Sequence, residues 1–289
     1  MIHVICNPTA GNGKALKIGH DISDALQESK AEHLFFNTAY PGHATELARN
    51  AVLEGADTVI SVGGDGTLRE IVYGLYNTDT ALGIIPAGTG NDFIKSLGTP
   101  KDVMAALDVI LKCGPKKTDV VRLNDQIFVN ESGAGFDVMV LDYAARAKKY
   151  CQGLLPYLYG VIRTIFHYKS VHIAYTLDDG PRLEKDILVV AVGNGRFIGG
   201  GIPISPTAVP DDGYLDAVIV GGMSRLRMLS VLPGLMKAKI LTFKESEHVR
   251  IRKMTMEGKD LRVNIDGEIR PIDRLEIEIL PGALLIRRP

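Results

Sequence analysis

Apolar positions in the first 120 residues follow two alternating rhythms. Nearly continuous apolar runs at Ile2–Cys6, His33–Asn37, Thr58–Val62 and Ala81–Ile85 predict buried strands. Between them lie segments of helical spacing. Gly13–Ser29 places Leu16, Ile18, Ile22, Ala25 and Leu26 toward one side, and Ala44–Glu54, a stretch from Thr67 onward, and Val103–Lys112 behave alike. Strand–helix alternation of this kind predicts a mostly parallel sheet with helices on its faces. Ligands of such sheets sit beyond the carboxyl ends of the strands. The loops Asn7–Gly13, Gly63–Thr67 and Pro86–Asp92 fall there.

After about Asp119 the pattern changes. Strand-like runs dominate: Asp119–Leu123, Gln126–Glu131, Val171–Leu177, Ile187–Gly193, Leu215–Val220, Val249–Met254, Leu261–Ile265 and Leu275–Leu280. Turn signals separate several of them, as at Asp178-Asp179-Gly180, Asp211-Asp212-Gly213 and Asp266-Gly267. Two helical stretches, Asp142–Tyr168 and Arg225–Thr242, interrupt the series. The fold class expected is therefore α/β: a parallel-sheet α/β domain over 1–122, then a β-rich, mostly antiparallel domain over 123–280. No low-complexity linker separates the halves, so a broad interface with a cleft is expected.

Composition narrows the function classes. The 289 residues suffice for two domains, and 46% hydrophobic with 23% charged residues is ordinary for a globular protein. A net charge of −1 gives no global attraction to nucleic acid. Cys6, Cys113 and Cys151 are isolated and odd in number, which predicts thiols in a reducing cytoplasm rather than a disulfide framework. The chain enters its first strand at once, so no signal peptide is expected, and no apolar run approaches a membrane span.

The chemistry concentrates in the loops. Ser61-Val62-Gly63-Gly64-Asp65-Gly66-Thr67-Leu68 sets three glycines around a carboxylate between a strand and a helix. Glycines let a ligand approach the backbone, and N–H groups at a helix start suit phosphate. A carboxylate beside phosphate suits a metal or a proton. Asn7-Pro8-Thr9-Ala10-Gly11-Asn12-Gly13-Lys14 resembles a phosphate loop without being a Walker A, and a plain strand-to-helix turn is its alternative. Gly88-Thr89-Gly90-Asn91-Asp92-Phe93 reads as a capped turn or as a second phosphate loop that brings Asp92 to Asp65. Pro210-Asp211-Asp212-Gly213-Tyr214-Leu215-Asp216 reads as a hairpin turn or a metal turn. Glu268 follows a tight turn and becomes a candidate base only if the fold brings it to the cleft.

Taken together and in order, these motifs carry a resemblance. Asn-Pro-Thr-x-Gly, Gly-Gly-Asp-Gly-Thr-Leu, Pro-x-Gly-Thr-Gly-Asn-Asp-Phe, Gly-x-Gly-Phe-Asp (Gly133–Asp137), Asp-Asp-Gly-Tyr-Leu-Asp and Asp-Gly-Glu resemble the diacylglycerol kinase catalytic family, with its bacterial lipid-kinase and sphingosine-kinase relatives. The match runs from Ile2 to Glu268. The Gly-Gly-Asp-Gly-Thr loop alone is shared with NAD kinases and, in related form, with phosphofructokinases. The resemblance implies an ATP-binding α/β domain of NAD-kinase type, a β-sandwich-like second domain, and a C-terminal segment (281–289) that returns to the first, as the strand-like Leu284–Arg287 suits. It implies nucleotide contacts from Asn7, Pro8, Thr9, Ala10, Gly11, Thr38, Gly64, Asp65, Gly66, Thr67, Leu68, Arg69, Glu70 and Thr89. It places Asp65, Asp92 and Asp119 in a Mg²⁺–water network, a structural Mg²⁺ on Asp212 and the carbonyls of Val209 and Tyr214, and the proton acceptor at Glu268. Ala10 departs from the Ser of many relatives and removes one hydroxyl contact.

The implied reaction is Mg²⁺-dependent transfer from ATP to a lipid hydroxyl, with diacylglycerol the expected acceptor. Phosphatidylglycerol, a sphingoid base, NAD or a non-catalytic lipid-binding role are the alternatives, and relatives of this kind allow a homodimer. A lipid substrate requires transient membrane contact by a cytoplasmic protein. Residues 143–177 hold no Asp or Glu, five Lys/Arg (Arg146, Lys148, Lys149, Arg163, Lys169) and seven aromatics. Residues 221–253 hold eight Lys/Arg against two Glu. Both read as basic amphipathic segments suited to an anionic bilayer, or as core helices with solvated basic faces.

Overall fold

The computed structural model describes residues 1–147, 149–151 and 155–289. Its first part runs β1 (Ile2–Cys6), α1 (Lys14–Glu28), β2 (His33–Asn37), α2 (His43–Leu53), β3 (Thr58–Gly63), α3 (Asp65–Leu75), β4 (Ala81–Pro86), α4 (Asp92–Leu97) and α5 (Val103–Lys112). The strands lie in the order β4-β3-β1-β2, all parallel. Strands β3 and β4 are buried almost throughout, which is why their sequences are continuous apolar runs rather than alternating ones. Helices close both faces over separate apolar clusters, one around Ile71, Leu75 and Phe93 and one around Ile22, Leu26 and Ile110.

The second part comprises β5 (Pro115–Leu123), β6 (Gln126–Phe128), β7 (Glu131–Gly135), α6 (Phe136–Ala147), α7 (Leu155–His167), β8 (Val171–Leu177), β9 (Leu183–Gly193), β10 (Phe197–Ile198), β11 (Ile202–Pro203), β12 (Leu215–Gly221) and α8 (Arg225–Met236). A 3₁₀ turn (Ile240–Thr242) follows, then β13 (Ser246–Ile251), β14 (Lys253–Glu257), β15 (Arg262–Ile265), β16 (Glu268–Pro271) and β17 (Arg274–Arg287). All pairings among β7, β8, β9, β12, β13, β14, β15 and β16 are antiparallel. The chain adopts the predicted α/β class, with parallel N-terminal and antiparallel C-terminal strands joined in one mixed sheet.

Strand β17 joins the two parts. Its first half pairs antiparallel with β14 and β5, and its second half reaches β4, with Ile286 opposite Leu82 in parallel register. A register shift between Leu280 and Leu284 makes one bent strand of what the sequence suggests are two. Gly282 takes φ +62 at this bend, and its N–H donates to Asp119 Oδ1 at 2.7 Å.

Four other segments differ from the sequence expectation. Val249–Met254 is two strands meeting at Arg252. Asp178 Oδ1 accepts the Arg252 and Lys253 N–H groups there, at 2.8 and 2.9 Å. The buried positions shift from odd (Ile251) to even (Met254, Met256), the mark of a corner. Gln126–Glu131 breaks at Val129–Asn130, whose N–H groups both donate to the Asp266 carboxylate. The stretch Asp142–Tyr168 is two helices; Lys148 and residues 152–154 lie outside the described residues. Stretch Arg225–Thr242 ends as an α-helix at Met236, just after Pro233-Gly234.

Candidate active site

Strand register sets the loops side by side. Cys6 lies opposite Val62, and Gly63 opposite Pro86, so β1, β3 and β4 end together. Pairing continues into the loops: the Asn7 N–H donates to Val62 O (3.0 Å) and the Ala87 N–H to Gly63 O (2.9 Å). Asn7 Nδ2 donates to Thr67 Oγ1 at 3.0 Å, while Asn7 Oδ1 accepts the Thr9 N–H and hydroxyl. Contact between the loops demands glycine. A Cβ on Gly88 would stand 2.3 Å from Gly64 Cα, and one on Gly11, at φ +60, would stand 2.3 Å from Ala87 O.

Asp65 fastens two of these loops. Its Oδ2 accepts the Asn91 N–H and its Oδ1 the Asp92 N–H, both at 2.9 Å. Asp92 in turn binds Lys95 Nζ (2.6 Å) and the Gly200 N–H (2.8 Å). Burial pushes the Asp65 carboxyl up, the Asp92 charge adds to this, and the backbone donors oppose it. One buried carboxylate, Asp92, and one part-buried, Asp65, beside glycine loops fit a divalent cation shared with nucleotide phosphates, since Mg²⁺ is commonly held by one or two carboxylates plus phosphate.

Asp119 is placed elsewhere. It is buried off the cavity, with its oxygens on the Gly213 and Gly282 N–H groups (2.7 Å each) and its own N–H on Pro210 O (2.8 Å). It therefore ties β17 to the Asp212 turn rather than touching Asp65. Asp212 Oδ1 accepts the Tyr214 N–H at 3.0 Å and Oδ2 pairs with Arg250. The Arg250 and Arg252 guanidinium groups stand over the Tyr214 ring at 4.4 and 5.0 Å. Among the described residues no group of three or more His, Cys, Asp or Glu is gathered to hold a metal alone. A metal at the turn would draw on one carboxylate and the carbonyls of Val209 and Tyr214.

The second part supplies the opposite wall. Asp266 is part-buried and accepts the N–H groups of Val129, Asn130 and Glu131 at 3.2, 3.2 and 2.9 Å. Burial pushes its carboxyl up to about 6, while these donors and the Arg69 charge oppose the rise. This anchor fixes the turn from which Glu268 projects. Glu268 pairs with Arg69 of α3 and, at 3.2 Å, with Arg270. Desolvation raises its carboxyl, but Arg69 and then Arg270 outweigh that and hold it below the ordinary value.

Asn7, Ala10, Gly11, Gly64, Asp65, Gly66, Thr67, Leu68, Thr89, Asp92 and Glu268 line one cavity of about 500 Å³. Pro8, Thr9, Thr38, Arg69, Glu70, Val209, Asp212 and Tyr214 do not. The Thr38 N–H donates to Cys6 O (2.8 Å), and Glu70 accepts the Ala44 N–H (3.2 Å). Sequence reasoning missed Glu131, the buried acid that opens β7, and Lys95, one helical turn after Asp92.

From the loops the cavity continues between α6, α7 and α8 into an apolar chamber walled by Val140, Val161, Ile165, Leu188, Met228 and Leu232. The family model described as the diacylglycerol kinase catalytic domain matches residues 1–123, and that described as the YegS C-terminal NAD kinase beta sandwich-like domain matches 131–288. A "Diacylglycerol kinase" of Mycobacterium tuberculosis is 29% identical over 294 residues, covering 100% of this chain and 95% of the relative. A "Probable lipid kinase YegS-like" of Chromohalobacter salexigens is 31% identical, covering 96% and 91%. A solved structure from Bacillus anthracis str. Sterne, provisionally named a diacylglycerol kinase, is similar at TM-score 0.82 and 29% identity, covering 100% and 97%. Yeast NADH kinase, 11% identical at TM-score 0.53 over 99% of this chain and 82% of its own, shares the fold alone. The chain thus belongs to the diacylglycerol kinase family, with the YegS-type C-terminal domain.

Proposed function

We propose that this protein is an ATP-dependent lipid kinase that converts diacylglycerol to phosphatidic acid. The observation that carries this reading is a single cavity whose glycine-loop floor opens into the apolar chamber. The acceptor hydroxyl oxygen attacks the γ-phosphorus of ATP, the bond to the bridging β–γ oxygen breaks, ADP leaves, and Glu268 takes the hydroxyl proton. Backbone N–H groups around Gly64, Gly66 and Gly11 bind phosphate. Asp65 and Asp92 would hold Mg²⁺, which when bound neutralises phosphate charge. Asp119 would link this site to a second Mg²⁺ on Asp212, Val209 and Tyr214. The catalytic unit comprises 1–122 with 281–289, and the lipid unit 123–280. An apolar chamber suits acyl chains and has no use in binding NAD, which sets that acceptor aside. Incubating the protein with γ-labelled ATP and vesicles of single lipids tests the assignment. Label in phosphatidic acid is expected; label on NAD with none on any lipid overturns it.

The protein is proposed to act in the cytoplasm and to visit the membrane through α7 and α8. No described helix is long and apolar enough to cross a bilayer. Helix α7 instead exposes Leu155, Leu158, Tyr159, Ile162 and Phe166 along one stripe, while its inner Val161 and Ile165 line the chamber. Leu226 and Leu229 of α8 are exposed beside Arg225. An apolar stripe among cations suits insertion at an anionic surface. Sedimentation with anionic vesicles at low salt is expected to exceed that with neutral ones. Ile162→Glu with Phe166→Glu should weaken it about tenfold or more and leave turnover of a short-chain, soluble diacylglycerol within threefold, about the usual scatter of surface changes. Equal sedimentation with both vesicle types removes the docking face.

A further inference from the structure

The charge of the cavity wall separates the candidate acceptor lipids. Six carboxyl residues line it (Asp65, Asp92, Glu131, Asp137, Asp266 and Glu268), and no Lys, Arg or His is found among the described lining residues. The nearby cations are already engaged: Lys95 binds Asp92 and Gly90 O, and Arg69 binds Glu268 and Ile265 O.

Two of the six carboxyls have no part in holding the loops. Glu131 is 1% exposed, and neither of its carboxyl oxygens has a hydrogen-bond partner; Asp137 Oδ1 has none either. Both positions are fixed by the backbone. Glu131 lies in β7 opposite Gly193, with its N–H on Asp266, and Asp137 opens α6 with Oδ2 accepting from Asn264 Nδ2 at 3.3 Å. They sit in the lining where the polar floor gives way to Val140 and Leu141. A buried carboxyl without a partner is costly, and proteins retain one where a ligand completes it.

We propose that Glu131 and Asp137 form a headgroup seat that accepts lipid alcohols with an uncharged or cationic head and rejects those bearing a phosphodiester. The proposal rests on the lipid-kinase reading and names the substrate class for that site. Burial, then the charges of Asp137, Asp266 and Asp92, lift Glu131 well above the carboxylate range, and burial lifts Asp137 to about 6. Near neutrality the pair therefore offers a donor and acceptors together. A diacylglycerol presents one hydroxyl donor and ester carbonyl acceptors, which match both. An ammonium matches the ionised Asp137. A phosphodiester brings only acceptors and a negative charge, and meets carboxyls with no cation to balance it.

The test measures binding apart from catalysis. A fluorescent diacylglycerol analogue is bound to the full chain in detergent micelles without nucleotide. It is then displaced by dioctanoylglycerol, by sphingosine or by dioctanoyl phosphatidylglycerol. The first two are expected to displace it at concentrations about tenfold or more below the third, the scale of one unbalanced charge. Glu131→Gln with Asp137→Asn keeps the volume, removes the charge and should bring phosphatidylglycerol within about threefold of dioctanoylglycerol. Glu131→Gln alone replaces an unpartnered buried acid with a neutral isostere. It should melt no lower than wild type and show part of the same change, which covers the event that the double variant does not fold. Equal displacement by all three lipids, no displacement by any, or discrimination unchanged in the variants overturns the seat. Label transfer from ATP is followed in parallel. Discrimination without transfer sinks the kinase reading and leaves the seat; transfer without discrimination does the reverse.

Discussion

Asp65→Ala is expected to lower phosphoryl transfer by about 10³-fold or more, the scale of losing several kcal/mol of transition-state charge stabilisation. Asp65 has one observed duty and one proposed duty, and the two fail together. It would hold the cation on the phosphates, and it receives the Asn91 and Asp92 N–H groups that seat the third loop on the second. Alanine leaves both part-buried donors without this partner, at a cost of about 1 kcal/mol for each. The variant should therefore melt several degrees lower, yet still cooperatively. A loss of stability could be mistaken for a loss of chemistry, and Asp102→Ala separates the two. Asp102 caps α5 by accepting the Ala105 N–H at 2.9 Å and does not line the cavity. Its removal should cost about 1 kcal/mol and leave turnover within a few-fold. Steady-state rates and melting curves for both variants decide. Asp65→Ala with activity within a few-fold of wild type would sink the assignment of Asp65 to the phosphate site.

How much of this was legible beforehand depends on the range of the cause. Strands β1 and β2 and helix α5 begin and end where the apolar pattern says; β1 is a continuous apolar run because it is buried on both faces, while β2, at the sheet edge, stays partly exposed. Glycine loops at strand ends were visible for a related reason: contacts as close as Gly88 on Gly64 leave one residue type available. What escaped depends on distant partners. Asp266 reads as half of a turn signal, and nothing local says that its carboxylate gathers three N–H groups some 135 residues earlier in the chain. The position of Asp119 was equally illegible. Its place off the cavity follows from the bend in β17, where Gly282 meets it from 163 residues away. The split of Val249–Met254 was written in the odd-to-even shift of its apolar positions, a signal that a single-strand reading overlooks. Glu131 was legible in principle, since an acid inside the run from Ile127 to Ala134 must either be neutral or find a ligand.

Glu268→Gln is the second large expected effect: kcat should fall by about 10²–10⁴-fold, the usual contribution of a positioned general base, with the KM for ATP changed little. Glutamine keeps the shape of the side chain on β16 and removes its ability to take a proton. The ion pair with Arg69 sharpens the test. Arg69 lies in α3, four residues after Asp65, so the pair connects the wall of the second part directly to the phosphate floor of the first. Desolvation alone would raise the Glu268 carboxyl and leave a fraction protonated in mildly acid solution. Arg69 and Arg270 reverse that sign and keep it ionised, ready to accept a proton, down through the ordinary carboxylate range. The acid limb of the wild-type pH–kcat profile should therefore lie below the usual glutamate value. Arg69→Met removes the largest opposing influence and leaves the desolvation, so the acid limb should move to higher pH. A limb that stays in place would show that another group governs it. An unchanged kcat in Glu268→Gln would remove Glu268 as the base and leave the hydroxyl proton to be lost directly to water or phosphate. In that case Arg69 and Glu268 serve as a strut between the two walls, and the variant should lose stability rather than rate.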